Sequence, residues 1–550
     1  MMPRDAIGSG RAAIRLCRRG STKRLAKTLR VALLSLFVLS AQAARAEDKP
    51  PQGPATGPAT GAPAIELPAR VETRHSVRTE TGTLDYRAIA ETIGLTTPKG
   101  EPSASIFTVS YIAEPAGSQP DTTQAAPARD RPVAFVFNGG PGASAVFLHL
   151  GALGPRILET PPTGAVPNPP FTLADNPHTW LAFTDLVFVD PVGTGYSRGV
   201  GKGNGKDDNP DKPFWEVRSD LNSLAAVVRR WLTRHQRWTS PVFLVGESYG
   251  GLRAAALGRV LARDVGVAVS GFVLVSPALD IELLHPDVSN VMAPALQLPS
   301  YAATSAAFAE ISPSERARQA ERFALTDYLA GLAALTGVPA PGNPLIERTA
   351  ALIGLPAETI RRERGRVAPR IFARELRRPE GEILSLYDGT VARSGTGNPR
   401  EDRAGDPILD NSVASLTAAF QRYAGDELGY RTEQPYRVLA RDVSQGWDWD
   451  AARGEGGLGI ALASLQETLL MLPRVRVFVA AGLYDLVTPY FATHWLLDQL
   501  AVPEAARKRI DLHVYEGGHM MYMRPQVRAA LAADAAPLFA AGSGDAAPPR

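Results

Sequence analysis

The sequence predicts an α/β protein in which helices flank a mostly parallel central sheet and a helical region is inserted. Short runs of β-branched and aromatic residues, each ending in a turn with glycine or proline, occur at residues 133–137, 185–190, 241–246 and 272–277. Residues 217–238 lie between two of these runs and have the apolar spacing of a helix. Buried strands that alternate with helices are typical of a parallel sheet. Similar strand-like runs return late in the chain, at residues 475–482 and 510–518.

The N-terminus has the pattern of an export signal. Residues 11–30 are basic, residues 31–40 form an apolar run, and residues 41–46 are the small residues typical of a cleavage site. A membrane-spanning helix needs about 20 apolar residues, more than this run supplies. We therefore expect a periplasmic or secreted protein with no stable membrane insertion after cleavage. The single cysteine, Cys17, precedes the apolar run, so the mature chain would contain no disulfide.

Composition predicts the remaining domain boundaries. A Pro/Ala/Gly/Thr-rich stretch is typical of a flexible linker, and residues 105–114 alternate between apolar and polar side chains, as in an antiparallel edge strand. A long arginine- and alanine-rich region predicts helices. In chain order we expect a signal peptide at residues 1–46, a linker at 47–64 and the first part of the α/β domain at 65–280. A helical cap at 281–455, the second part of the α/β domain at 456–535 and a disordered tail at 536–550 follow.

Charge and composition exclude several classes of partner. The formal net charge is +3, but ten basic residues and one acidic residue lie in residues 1–46, so the rest of the chain carries about −6. No basic excess is left to neutralise phosphates, so we expect no nucleic-acid partner. The sequence has no H-E-x-x-H motif and no Cys/His cluster, so we expect no metal site.

The segment VFLVGESYGG, residues 242–251, places a glycine-rich turn directly after a buried run. Gly246 to Gly250 reads as G-x-S-x-G, the nucleophile elbow that exposes a serine hydroxyl above a parallel sheet. The alternative interpretation is an ordinary turn between a strand and a helix. Ser248 is the candidate nucleophile.

Two later residues supply what such a serine needs. Asp485 follows the strand-like run 475–482, and His519 follows the run 510–518. Ser248, Asp485 and His519 therefore occur in the order nucleophile, acid, base that is typical of an α/β-hydrolase. His519 would accept the serine proton, and Asp485 would orient the imidazole and stabilise its charged form. Taken singly, Asp485 could instead be a turn former and His519 a strand-end residue without a role.

Backbone amides near the elbow are candidates for an oxyanion hole. The amide of Tyr249 directly follows the serine. The glycine-rich segment VAFVFNGGPGAS, residues 133–144, follows an earlier strand and offers the amide of Gly140. The alternative for this segment is a tight turn without a ligand.

Five blocks of the sequence resemble the serine carboxypeptidase family. They are NGGPGAS, DPVGTGYS, GESYGG, GLYDLVTPY and GGHMMYMRP at residues 138–144, 190–197, 246–251, 482–490 and 517–525, and the likeness extends over about residues 100–530. The resemblance implies an α/β-hydrolase fold with a helical cap, no cofactor, and hydrolysis of C-terminal peptide bonds through an acyl-enzyme. It implies Ser248, Asp485 and His519 as the triad, Gly140 and Tyr249 as oxyanion donors, and Asn138 and Glu247 as the residues that bind the terminal carboxylate of the substrate.

The sequence departs from this family at two positions. Ala143 stands where the family usually has a cysteine, and Ala152 stands where it has a glutamate that pairs with the residue matching Glu247. Glu247 can donate a hydrogen bond only when it is protonated. Either burial alone keeps Glu247 protonated, or a cationic residue has taken over carboxylate recognition. We favour the second alternative from the sequence.

The sequence as a whole predicts an exported serine carboxypeptidase-like hydrolase that acts on peptides. An esterase or acyltransferase would use the same triad, since the triad does not distinguish an amide from an ester. A catalytically silent binding protein on the same scaffold is a further alternative, against which the intact Ser248, Asp485 and His519 argue. The oligomeric state stays open.

Overall fold

A computed structural model describes residues 67–114, 130–201, 208–284, 289–309, 311–395, 405–451 and 459–542. Contacts within the chain group Ile65–Arg550 into one compact unit. The predicted signal peptide and linker lie outside the described residues.

The described residues contain the strands that the sequence predicts, together with shorter ones. In chain order these strands are β1 (Arg70–Thr79), β2 (Gly82–Thr96), β3 (Pro102–Ala113), β4 (Val133–Phe137), β5 (Arg156–Leu158), β6 (Leu173–Asp175), β7 (Asp185–Val189), β8 (Arg198–Gly199), β9 (Val242–Glu247), β10 (Val269–Val275), β11 (Glu382–Leu384), β12 (Ala392–Ser394), β13 (Arg476–Gly482) and β14 (Ile510–Tyr515).

One ten-stranded sheet forms the centre of the molecule. Its strand order is β1-β2-β3-β7-β4-β9-β10-β13-β14, with β8 beside β3. The strands from β7 to β14 along this order pair in parallel, whereas β1, β2, β3 and β7 pair antiparallel. The predicted fold class, a mostly parallel sheet flanked by helices, is confirmed. The antiparallel prediction for residues 105–114 is also confirmed, but the edge position is wrong, because β2 and β7 cover both sides of β3.

Helices lie between and around these strands. In chain order the described helices are α1 (Val146–Leu148), α2 (Val217–Arg234), α3 (Tyr249–Val260), α4 (Ile281–Leu284), α5 (Met292–Phe308), α6 (Pro313–Phe323), α7 (Leu329–Ala334), α8 (Pro344–Ile353), α9 (Ala357–Arg362), α10 (Pro369–Glu375), α11 (Leu409–Asp426), α12 (Arg441–Gly446), α13 (Ile460–Met471), α14 (Tyr490–Asp498), α15 (Glu504–Arg507) and α16 (Pro525–Gly542).

Alternate side chains of the strands pack against helices on opposite faces of the sheet. Phe135 of β4 contacts Trp231 of α2, with ring centroids 5.4 Å apart. Phe243 of β9 points to the other face and contacts Phe539 of α16, with centroids 4.3 Å apart. This alternation follows from the two-residue period of a strand. Helix α16 extends to Gly542, past residue 536, where the sequence analysis placed the start of the tail, and its Leu538 and Phe539 are buried.

Residues 281–455 are mostly helical among those described, with the hairpin β11–β12 between helices. Helices α5 to α10 share an apolar cluster, which includes Phe323 and Phe372 and extends to Tyr484 after β13 and Tyr490 of α14. Helix α11 instead packs into the core beneath the central sheet: its Tyr423 hydroxyl lies 2.8 Å from the hydroxyl of Tyr111 in β3. The predicted domain boundaries stay a prediction.

A buried ion pair joins α2 and α3 beneath the glycine-rich segment after β4. Arg253 Nε lies 2.7 Å from Asp220 Oδ2, and both side chains are buried. Arg253 Nη1 also donates to the backbone oxygen of Asn138 at 2.6 Å. Burial raises the pKa of Asp220, and the charge of Arg253 opposes that shift. The pair therefore holds two helices and the segment at Asn138 in a fixed relation.

Replacing Arg253 with methionine should lower the free energy of unfolding by about 3–5 kcal/mol, because it leaves the Asp220 carboxylate buried without a partner. Chemical denaturation of the purified protein measures this change. The control is Arg318→Met, which removes an exposed partner of Glu315 and should have little effect. Equal unfolding curves for Arg253→Met and the wild type would contradict the prediction.

Candidate active site

Ser248 lies in a strained turn between β9 and α3. Its φ and ψ are 58° and −125°, a conformation that residues other than glycine rarely adopt. The glycine two residues earlier is required by close approach: a Cβ at Gly246 would lie 1.9 Å from the backbone oxygen of Gly250. The turn leaves the Ser248 side chain partly exposed, although Glu247 and Tyr249 on either side are buried. The local geometry is that of a nucleophile elbow.

Asp485 and His519 meet at the carboxyl ends of β13 and β14. His519 Nδ1 lies 2.7 Å from Asp485 Oδ2. The hydroxyl of Thr488 donates to the same carboxylate oxygen at 2.7 Å, and the amides of Val487 and Thr488 donate to Oδ1 at 2.8 and 2.9 Å. Asp485 is fully buried. Its carboxylate therefore fixes the orientation of the imidazole and directs Nε2 away from itself.

The environment of His519 favours its protonated form. Burial of the ring lowers the pKa of His519, but the charge of Asp485 and its hydrogen bond raise it, and the charge of Glu247 adds to them. The net effect is a pKa above the ordinary value of histidine. An imidazole in this setting can accept a proton and hold the resulting charge.

Ser248 and His519 are anchored to the same strand end. The amide of Ser248 donates to the backbone oxygen of Val275, the last residue of β10, at 2.9 Å. The next residue, Ser276, donates its hydroxyl to the backbone oxygen of His519 at 2.9 Å. Within the described residues, no hydrogen bond joins the Ser248 hydroxyl to His519. The structure thus brings Asp485 and His519 into direct contact and places Ser248 at the neighbouring strand end.

The two expected oxyanion donors have no partner within the described part of the chain. Neither the amide of Gly140 nor that of Tyr249 donates a hydrogen bond there, and Tyr249 is the first residue of α3. The segment that carries Gly140 is held by a β-bridge between Ala143 and Leu439. Free amides at the N-terminus of a helix can stabilise a developing negative charge.

Asn138 and Glu247 are in direct contact. The side-chain amide of Asn138 donates to Glu247 Oε2, and its oxygen accepts from the amide of Leu148 at 3.1 Å. The hydroxyl of Tyr522 donates to the other carboxylate oxygen, Glu247 Oε1, at 2.9 Å. All three polar side chains are buried. Sequence analysis gave no role to Tyr522, although it lies within the block GGHMMYMRP.

The pKa of Glu247 is raised even though residue 152 is an alanine and not a glutamate. Burial raises the pKa of Glu247 to about 7, and the charge of Asp485 adds to this effect. The charge of His519 and the hydrogen bonds from Tyr522 and Asn138 act in the opposite direction. Glu247 is therefore protonated below neutral pH. The geometry favours the first of the two alternatives that the sequence left open, a carboxyl kept protonated by burial, over a cationic replacement.

Within the described residues, no group of three or more His, Cys, Asp or Glu side chains is arranged to hold a metal ion. The polar groups around Ser248 are donors and acceptors suited to acyl transfer.

Comparison with known proteins identifies the family that this chain resembles. Residues 122–270 match the sequence profile of the serine carboxypeptidase family. The chain is related to the serine carboxypeptidases. The matched stretch includes Asn138, Gly140, Glu247, Ser248 and Tyr249.

Individual serine carboxypeptidase relatives match over a similar stretch. Serine carboxypeptidase-like 13 of Arabidopsis thaliana is 26% identical over 158 residues, which are 28% of this chain and 33% of the relative. Serine carboxypeptidase-like 51 of the same plant is 36% identical over 138 residues, which are 24% of this chain and 25% of the relative. These matches span between a quarter and a third of each relative's length. Among solved structures, a peroxisomal α/β-hydrolase from Saccharomyces cerevisiae has a TM-score of 0.36 and 12% identity, with 84% of this chain and 92% of that chain covered.

Replacing Gly246 with alanine should distort the elbow, since the added Cβ cannot be accommodated beside Gly250. We expect labelling of Ser248 by a serine-directed organophosphonate to slow by about 100-fold, with a loss of about 1–3 kcal/mol in stability. Mass spectrometry of the labelled protein over time gives the rate.

The control for this substitution is Gly425→Ala in α11, where a Cβ would meet nothing within 4 Å. This variant should label as fast as the wild type. Normal labelling of Gly246→Ala would show that the elbow does not depend on this close approach.

Proposed function

We propose that this chain is a serine carboxypeptidase-like hydrolase that removes C-terminal residues from peptides through an acyl-enzyme. The observation that carries the proposal is the position of Glu247, a buried carboxyl with a pKa raised to about 7, directly before Ser248. An exopeptidase must recognise a chain end as well as a peptide bond. A protonated carboxyl next to the nucleophile can do so, because it donates a hydrogen bond to the substrate's terminal carboxylate.

In the proposed mechanism, His519 Nε2 accepts the proton of Ser248 as its oxygen attacks the carbonyl carbon of the last peptide bond. The amides of Gly140 and Tyr249 stabilise the oxyanion of the tetrahedral intermediate. His519 then gives its proton to the leaving amine, and the carbon–nitrogen bond breaks. Water, deprotonated by His519, hydrolyses the acyl-enzyme and regenerates Ser248. Throughout, Asp485 stabilises the charged imidazole.

The terminal carboxylate of the peptide would be bound by Glu247 and Asn138. The amide nitrogen of Asn138 has two hydrogens, of which one is donated to Glu247 Oε2. The proton of Glu247 and the remaining hydrogen of this amide, which also interacts with the hydroxyl of Tyr522, are the donors proposed for a substrate carboxylate. Binding is therefore expected to be strongest below the pKa of Glu247, because above it two negative charges would face each other.

We also propose that the protein is exported and acts in the periplasm or outside the cell. The support is the basic, apolar and small-residue pattern of residues 11–46, which lie outside the described residues. In the part of the chain that the structure describes, no helix is both long and apolar enough to cross a membrane. The proposed partner is a peptide substrate.

Ser248→Ala should lower the turnover of a peptide substrate by about 10⁴-fold or more while leaving the fold intact. The nucleophile is lost, but no buried contact is removed. Peptide hydrolysis followed by liquid chromatography, together with a thermal melt of both proteins, gives the two quantities. Full activity in the alanine variant would refute the assignment of Ser248.

Peptides with a free C-terminus should be hydrolysed with a kcat/KM at least about 10²-fold above that of their C-terminally amidated counterparts, because an amide lacks the negative charge that Glu247 and Asn138 would bind. Mass spectrometry of a matched peptide panel tests this. Equal cleavage of both sets, or cleavage of simple esters alone, would support the esterase or acyltransferase alternative. Ser248→Ala is the background control.

A further inference from the structure

Tyr522 is a fully buried side chain that ends on the proposed carboxylate site. It lies in the single turn Met521–Met523 that follows His519, and its exposed fraction is 0%. Its hydroxyl donates to Glu247 Oε1 at 2.9 Å. A buried hydroxyl without a partner would be costly, and Glu247 is the side chain that satisfies this one.

The turn that carries Ala152 contacts the turn that carries Tyr522. Residues His149–Leu153 form a single π-helical turn, in which Ala152 is buried. A Cβ at the neighbouring Gly151 would lie 3.0 Å from Tyr522 Cε2 and 2.6 Å from the terminal carbon of Met523. A side chain at Gly151 would therefore crowd Met523 first and the ring of Tyr522 second.

We propose that Tyr522 is the positioning residue for recognition of the substrate's terminal carboxylate, because its hydroxyl holds Oε1 of Glu247. The inference rests on the proposed function. With Oε1 engaged by Tyr522 and Oε2 beside Asn138, the carboxyl plane of Glu247 is fixed. The carboxyl group of Glu247 then presents its proton in one orientation, because the side chain does not exchange among several rotamers.

A phenol acts differently from a second carboxyl group. Two carboxyl groups in contact share a proton and titrate as a pair. The hydroxyl of Tyr522 stays a donor, because burial and the neighbouring charge of Glu247 raise its pKa well above the usual range. The charges of His519 and Asp485 also shift the pKa of Glu247, and the charge of Glu247 in turn raises the pKa of Tyr387. The acidity of the site is therefore set by one carboxyl group whose ionised form Tyr522 stabilises.

The direction in which Tyr522 shifts the pKa of Glu247 follows from this hydrogen bond. A donor stabilises a carboxylate more than a neutral carboxyl, so the hydroxyl of Tyr522 lowers the pKa of Glu247. Removing it should raise that pKa. The KM for a free-acid peptide should increase as pH rises through the pKa of Glu247, and in Tyr522→Phe this increase should occur at higher pH than in the wild type.

The experiment measures KM and kcat against pH, with a free-acid peptide, for the wild type, Tyr522→Phe and Tyr423→Phe. For Tyr522→Phe we expect the KM at acidic pH to rise about 2- to 10-fold through lost orientation, the KM midpoint to move up, and kcat to stay within about twofold. Tyr423→Phe removes another buried hydroxyl, bonded to Tyr111 away from Glu247, and should leave the KM profile unchanged. If Tyr522 only supported the fold, the pH midpoint of the KM profile would not move in Tyr522→Phe.

A fluorinated tyrosine at position 522 tests the same inference without removing the hydroxyl, should Tyr522→Phe fail to fold. Fluorine makes the phenol a stronger donor, so the KM midpoint should move to lower pH, opposite to Tyr522→Phe. A wild-type enzyme that hydrolyses free-acid peptides, with a midpoint that stays fixed in the fluorinated protein or in a folded Tyr522→Phe, would overturn the role of Tyr522. A wild-type protein that hydrolyses no free-acid peptide would instead refute the proposed function.

Discussion

The backbone conformation of Ser248 is the constraint on which the site depends. A residue with a side chain is held at positive φ between a buried strand and the first turn of a helix. This conformation costs free energy that the surrounding structure must supply. Parallel strands lie on both sides of β9, and Gly246 closely approaches Gly250. The Ser248 amide donates to the backbone oxygen of Val275, and the Ala278 amide donates to the backbone oxygen of Ser248. Together these contacts supply that free energy. The same turn that exposes the Ser248 hydroxyl also buries Glu247 and directs the Tyr249 amide to the front of α3.

The two buried carboxyl groups near Ser248 differ in how many hydrogen bonds they accept. Asp485 is fully buried but receives hydrogen bonds from Thr488, from two backbone amides and from His519. These donors stabilise a charge. Glu247 is buried with one hydroxyl and one amide as donors, and its pKa is raised to about 7. One carboxylate can therefore support an imidazolium while its neighbour remains a proton donor below neutral pH.

Much of this arrangement could be predicted from the sequence, because it depends on local patterns. Strands β4, β7, β9, β10, β13 and β14 are short apolar runs, and their shared carboxyl-terminal edge brings Ser248, Asp485 and His519 to one region. The interior position of β3 was missed, since alternation of apolar and polar residues does not reveal how many neighbours a strand has. The pairing of Tyr522 with Glu247 was missed as well. It depends on how the turn at Met521–Met523 packs beside Glu247, which the order of residues along the chain does not display.

Helix α11 has a consequence for how a substrate reaches Ser248. Although it lies in the segment expected to form the cap, its Tyr423 is bonded to Tyr111 within the sheet core, and the following chain pairs with the glycine-rich segments at Gly195 and Ala143. Swinging residues 281–455 outward as one lid would break these contacts and pull apart the segment that carries Gly140. Helices α5 to α10 are joined to the carboxyl end of β13 as well, because their apolar cluster includes Tyr484 and Tyr490, so α11 and its neighbours together form a fixed wall beside the catalytic edge of the sheet.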